Sequence, residues 1–284
     1  MIVTSVDNIR HISRESSNRF WISDEKNIIL TNTEGDELYH ITDIGSYYGG
    51  HTVDITGDLI YIDIDFNIIK LSKESKSTLI KKTENWIPLC VFCSHFNGDL
   101  LVGMRGFRQT CKVSRYSYER QHIYTIQHDN KSLAMSGFPN YITENHNGDV
   151  VVSDWPYAVV VTDREGRCRF SYRGRPSSSG ISPQGICTDA MPNILVCDAL
   201  TDAVHIIDQN GQFLSLIQTQ QLEGINTPWS LSYDDKTHLL WVGSWTNNRV
   251  CVYRHKERQD YLPVTTSGSK RSSERGPKQF HKRQ

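Results

Sequence analysis

Three stretches of this 284-residue chain carry one order of features, and that repetition constrains the fold more than anything else in the sequence. Pro139 to Gly166, Pro183 to Gly211 and Pro228 to Lys256 each begin with proline. Each then runs through a short apolar strand, a polar turn, a second apolar strand, a polar loop and a third strand. A fourth strand follows the first two stretches, over residues 167–173 and 212–218. The unit can be traced backward. Asn97-Gly98-Asp99 with Leu100 to Gly103 repeats Asn147-Gly148-Asp149 with Val150 to Ser153; Thr56-Gly57-Asp58 does so again, and Asn18 to Asp24 is the faintest copy. Aligned at the turn, Arg19, Asp58, Asp99, Asp149, Asn193 and His238 are spaced 39, 41, 50, 44 and 45 residues apart.

Each copy reads as an antiparallel meander. Asn-Gly and similar pairs supply the positive φ that a tight hairpin needs, and the apolar runs are too short for helices. A lone four-stranded sheet cannot bury both faces, whereas sheets stacked radially bury them against each other. Units of ~40–45 residues with four strands are those of a propeller. The expected fold is therefore all-β, a six-bladed β-propeller of four-stranded antiparallel blades. It spans residues 1–262, with blades over roughly 6–45, 51–86, 87–137, 138–180, 181–224 and 225–262. Residues 2–5 are positioned to complete the last blade near Tyr261. A polar, basic tail over 263–284 is expected to be disordered.

Composition narrows the class. Apolar residues at 37% and charged residues at 22% are those of an ordinary globular protein. No run approaches the roughly 18 apolar residues of a membrane helix, and the N-terminus lacks a secretory pattern, so a cytoplasmic setting is expected. The seven cysteines are irregularly spaced and odd in number, unlike a disulfide framework. Cys90 and Cys93 lack a second pair at zinc spacing. The Asn130 glycosylation sequon is a chance match without a leader. The tail carries six Lys and Arg against one Glu, which leaves −6 on the body and no overall attraction to phosphate backbones.

The proline-led strand, Gly-Asp turn, apolar strand ending in Ser-Asp and closing Asp and Gly of residues 139–166 and 183–211 resemble the NHL repeat. More closely, the stretches around Tyr141–Trp155, Gly185–Asp198 and Leu231–Ser244 resemble the C-terminal propellers of invertebrate, especially molluscan, tripartite-motif proteins. Paired Gly-His and Trp-Asp signatures of WD40 repeats are absent. The resemblance implies a recognition module of RING-type ubiquitin ligases. This chain has no zinc module before Cys90 and no heptad segment, so only the recognition role carries over.

The expected function is accordingly a non-catalytic, monomeric platform in the ubiquitination pathway, with no cofactor and no metal, binding a protein partner or ubiquitination substrate through one loop rim. The rim residues are Trp86, Arg105, Phe107, Arg108, Tyr141, Trp155, Tyr157, Trp229, Trp245 and Arg249, types that carry interface energy; the bland alternative packs several of them between blades. One alternative function is single-stranded RNA binding, with Arg105, Arg108 and Arg249 on phosphates and Phe107 or Trp245 on bases. Against it stand the acidic body and Asp24, Asp63, Asp65, Asp154, Asp198 and Asp202 near the same loops. A second alternative is a metal-dependent propeller hydrolase or lyase. The channel strands offer it His11, His51, Asp54 and Glu144, but no recurrent ligand set.

Overall fold

The computed structural model describes the chain apart from residues 43, 45–49, 108–109, 128–134, 136, 176–177, 220–224, 257–259 and 264–284. Arg108, Asn130 and nearly all of the basic tail lie outside the described residues. Six antiparallel sheets follow one another along the sequence. The first blade holds β2 (His11–Ser16), β3 (Arg19–Ser23), β4 (Asn27–Asn32) and β5 (Glu37–Thr42). The second holds β6 (His51–Val53), β7 (Leu59–Ile62), β8 (Ile68–Leu71) and β9 (Lys76–Ile80). The third holds β10 (Trp86–Cys93), β11 (Leu100–Gly106), β12 (Cys111–Tyr116) and β13 (His122–Gln127). The fourth runs β14 (Phe138–Glu144), β15 (Val150–Trp155), β16 (Ala158–Thr162) and β17 (Cys168–Tyr172). The fifth runs β18 (Pro183–Thr188), β19 (Ile194–Asp198), β20 (Ala203–Ile207) and β21 (Phe213–Gln218).

The sixth blade closes the ring with both ends of the propeller. Its strands β22 (Pro228–Asp234), β23 (Leu239–Ser244) and β24 (Arg249–Lys256) form the usual meander. β24 is then flanked by two short strands on its outer edge. β1 (Ile2–Val3) pairs with Arg249 and Val250, and β25 (Asp260–Pro263) pairs with residues 253–256. Thr4 N–H donates to Asn248 O at 3.0 Å and Asn248 Nδ2 donates back to Thr4 O at 3.0 Å, locking the junction. The fold is a six-bladed β-propeller of four-stranded antiparallel blades.

The apolar runs are continuous because every blade is covered on both faces. Val150 and Val152 point into a cluster with Leu101, Val113 and Ile142, between the third and fourth blades. Val151, one residue along, points the other way into a cluster with Val159, Ile186 and Val196, between the fourth and fifth. Strand periodicity thus divides one Val-Val-Val run between two cores. Each of the six blade interfaces has its own cluster. The blades approach closely at the centre. A Cβ on Gly185 would lie 2.6 Å from Ser230 Cα and 2.6 Å from Trp229 O, so no larger residue fits there.

Short polar side chains set the turns. Asp54 Oδ1 accepts from Thr56 and Asp58 N–H at 2.8 and 3.0 Å, and Asn145 Oδ1 accepts from Asn147 and Asp149 N–H at 3.0 and 2.9 Å. Asp163 and Asp208 do the same in the outer hairpins of their blades. These are Asx turns, in which the carboxylate or amide replaces a missing main-chain acceptor. Of the six aspartates expected near the rim loops, Asp24, Asp63 and Asp198 accept a main-chain N–H within their own turns, while Asp154 and Asp202 accept those of Gly137 and Thr227 from separate loops. No helix among the described residues is long and apolar enough to cross a membrane.

Candidate functional site

The first strand of every blade lines the central channel. One end of the channel, the link face, carries the connections between blades and the loops between second and third strands. The other end, the turn face, carries the hairpins between first and second strands. Tyr141, at the start of β14, crosses the channel near the link face. Its hydroxyl donates to the main-chain carbonyl of Arg10 in the first blade, directly opposite in a ring of six. Its ring stacks on His11 with centroids 5.3 Å apart, and His11 meets the edge of His51 at 4.5 Å. Tyr141 is 3% exposed and His51 0% exposed, so the channel is closed here.

Above this floor lies a cavity of about 180 Å³ that reaches the turn face. A single water needs about 10–15 Å³ on a comparable measure, so the space suits a small molecule. Its walls are mostly polar. Ser13, Thr52, Thr143 and Ser232, at equivalent positions of four blades, present hydroxyls at mid-depth. Arg14, His95, Glu144, Tyr233 and Asp235 surround the mouth.

Each of these side chains is held differently. Arg14 Nη1 is tethered at 2.7 Å to Asp234 Oδ1, whose side chain is fully buried at the end of β22. Glu144 is committed to a buried network. Arg115 Nη1 donates to its Oε1 at 2.8 Å, Ser94 Oγ donates to its Oε2 at 2.5 Å, and Arg115 Nε reaches Asp99 Oδ2 at 2.8 Å. Burial opposes the Arg115 charge, and Tyr124, Asp99 and Glu144 together outweigh it and raise the Arg115 pKa. Tyr233 Oη lies 3.0 Å from His238 Nδ1, and burial pushes the phenol up to about 12. Asp235 is exposed at the mouth, with its carboxylate 4.0 Å from His146.

The three channel histidines are all held toward the neutral form. Burial lowers His11 to about 3. Burial and then the adjacent His11 ring hold His51 well below the ordinary imidazole range, against a smaller opposing contribution from the His11 main chain. Neither His51 ring nitrogen has a partner at hydrogen-bond geometry. His95 sits in the hairpin after β10, reachable by solvent yet walled by protein. Desolvation lowers its pKa first and the Arg14 charge second, partly offset by Glu144 and Asp235.

The cation site considered from sequence does not form. His11 and His51 are in contact and Glu144 is committed to Arg115 and Ser94. Asp54 lies in its hairpin, paired with Lys70 at 2.5 Å. No three His, Cys, Asp or Glu side chains among the described residues converge as ligands.

The rim residues named from sequence are dispersed. Trp229 and Trp245 stack 3.9 Å apart, with the Arg10 guanidinium 3.1 Å from the Trp245 centroid and Glu25 paired to Arg10. Trp155 stacks on Phe138 at 6.2 Å and donates from Nε1 to Ser182 at 3.2 Å, while Arg105 covers the other partner, Phe138, at 5.0 Å. Trp86 lies under Lys112 at 4.1 Å. Phe107 and Tyr157 are exposed at loop tips, at 75% and 52%, and Arg249 is exposed at the start of β24. Tyr141 is in the channel. The sequence reading did not single out Arg14, His95, Arg115, Tyr233 or Asp235. Two signals were available: Arg14 follows the channel strand candidate His11, and His95 opens an Asn-Gly hairpin.

Solved structures with this architecture include enzymes. A gluconolactonase of Xanthomonas campestris superposes with a TM-score of 0.65 at 14% identity, over 86% of this chain and 86% of its own. A catalytically inactive histidine-to-alanine variant of the virginiamycin B lyase of Staphylococcus aureus, solved with quinupristin, gives 0.65 at 13% identity, over 90% and 84%. The WD40 propeller of Doa1 gives 0.62 at 15%, over 90% and 82%. No protein-family model and no curated protein sequence matches the chain. At these identities the likeness is one of fold. It corrects the expectation of a non-enzymatic, non-catalytic tripartite-motif platform, and with it the NHL and ubiquitination assignments, because the same propeller over most of the chain is carried by a lactonase and a lyase. The physical reason is that Gly-Asp turns and buried apolar strands encode a blade, and a blade serves catalytic and non-catalytic propellers alike.

Proposed function

We propose that the chain is a propeller hydrolase that opens a small ester ring, a lactone, in the channel cavity. The observation that carries this reading is that His95 and Arg14 stand together at the mouth of a closed-ended polar cavity, where desolvation first and the Arg14 charge second lower the imidazole pKa. A neutral imidazole near working pH is a general base. A guanidinium fixed by a buried carboxylate is a preorganised partner for negative charge that develops on a carbonyl oxygen. In this scheme a water attacks the lactone carbonyl and gives its proton to His95. The tetrahedral oxyanion faces Arg14. Collapse breaks the ring C–O bond, and the His95 proton passes to the leaving alkoxide, giving a hydroxy acid. The solved lactonase and lyase of the same fold support the choice of class.

The test is proton release from a panel of γ- and δ-lactones, followed by titration at constant pH with the wild-type protein and His95→Gln. The reading requires turnover above the uncatalysed rate and a loss of about 10²–10⁴-fold in kcat/KM in the variant at unchanged melting temperature. Absence of turnover across the panel, or a variant as active as wild type, would refute it.

A further inference from the structure

The two ends of the cavity differ in kind, and that difference specifies how a ligand lies in it. Along the channel the walls change from His11 and Tyr141 at the floor, through hydroxyls, to a mouth where Arg14, Glu144 and Asp235 stand beside His95 and Tyr233. The span from His11 to Arg14 is three residues of one strand, about 10 Å at ~3.3 Å per residue. That length matches an extended chain of about six carbons.

We propose that the floor is a recognition subsite for an uncharged, hydroxyl-bearing tail, with His11 as the residue that selects it. The ligand is then a polyhydroxylated molecule whose only carboxylate or ester lies at the mouth, against Arg14. This rests on the proposed catalytic reading only for which end reacts.

The floor carries no ion to meet a charge. His11 is partly exposed into the cavity, stacked on Tyr141 and backed by the edge of the fully buried His51. Burial holds both imidazoles neutral. A neutral imidazole has one donor and one acceptor nitrogen, the same complement as a hydroxyl group. Ser13, whose hydroxyl donates to His51 O at 3.0 Å, and Thr143 and Ser232 continue the polar but uncharged wall. A carboxylate driven to this depth would lose its hydration without a cation to replace it.

Arg14 is the opposite case. One guanidinium nitrogen is held by Asp234, and the planar fork of the remainder suits a second carboxylate. The neighbouring acids weigh little against this, because Glu144 is engaged by Arg115 and Ser94 while Asp235 stands in solvent beside His146.

The experiment is calorimetric binding of three length-matched probes to the wild-type protein at pH 7.5: gluconate, glucarate, which adds a second terminal carboxylate, and hexanoate, which lacks the hydroxyls. Gluconate is expected to bind, and the other two to bind at least about tenfold more weakly. In His11→Phe, which keeps a ring against Tyr141, the advantage of gluconate over hexanoate is expected to fall below about threefold. Glucarate or hexanoate equal to gluconate on the wild type, or no gluconate binding at millimolar concentration, would overturn the proposal. The readout is binding, so the preference can hold where lactone turnover fails, and turnover can hold where the preference fails.

Discussion

The hydroxyl of Tyr141, in the fourth blade, donates across the channel to the main-chain carbonyl of Arg10, in the first. Opposite blades of a ring of six have no interface, so this bond ties together parts of the propeller that its packing leaves separate. It also turns a through-channel into a vessel with one opening. Tyr141→Phe keeps the stacking on His11 and removes only the bond. The expected cost is about 1 kcal/mol, read as a fall of about 2–4 °C in melting temperature.

Buried neutral histidines give the protein an acid-sensitive stability. The folded-state pKa of His11 is lowered from 6.5 to about 3, and that of His51 is held well below its ordinary value by burial and then by the adjacent His11 ring. Between these folded values and 6.5 the unfolded chain binds the protons and the folded chain does not. Stability is therefore complete above about pH 6.5 and falls as the pH drops below it, by about 1.4 kcal/mol per pH unit for each histidine. Urea denaturation at pH 7.5, 6.0 and 5.0 measures the slope. His51→Gln is expected to remove about half of it in this window, and an unchanged slope would contradict the assignment.

Arg115 holds two carboxylates in the interface between the third and fourth blades. Removing it strands Asp99 and Glu144 with little solvent to replace the guanidinium, a loss of about 3–5 kcal/mol. Arg115→Met is expected to show that loss in urea denaturation. Adding Glu144→Gln to the same protein is expected to recover part of it, because one stranded charge is gone. A neutral Arg115→Met would mean the network contributes nothing.

Desolvation first, and the Arg14 charge second, keep the His95 imidazole unprotonated to lower pH. For the proposed hydrolase, the acid limb of kcat/KM against pH is expected below the ordinary imidazole value of about 6.5. Arg14→Gln is expected to move that limb upward, because the second of the two causes lowering His95 is removed while desolvation remains. A limb that stays in place would separate Arg14 from His95 electrostatically.

Much of the architecture was legible because blades are built from local rules. The spacing of Asp58, Asp99, Asp149 and Asn193 counted the blades, and the Gly-Asp turns fall where hairpins are observed. The channel was harder to read. β14 carries a register shift between Pro139 and Tyr141, with similar shifts between Pro88 and Cys90, Pro183 and Ile186, and Pro228 and Ser230. A one-residue shift moves a side chain to the other face. Tyr141, expected on the rim, is consequently in the channel. The loop aspartates were legible as charge but not as structural acceptors: Asp24 and Asp198 take main-chain N–H groups of their own turns, and Asp154 takes that of Gly137. The fate of Arg115 depends on two residues 16 and 29 positions away, and no local pattern contains that information.

The shared edge of β24 has a geometric consequence for anything joined to this protein. Because β1 and β25 both lie on the outermost edge of the sixth blade, the two ends of the ring leave from neighbouring points on its circumference, a blade's width from the axis. The ring is thus fastened at the wall of the cup, away from the opening that Arg14 and His95 surround.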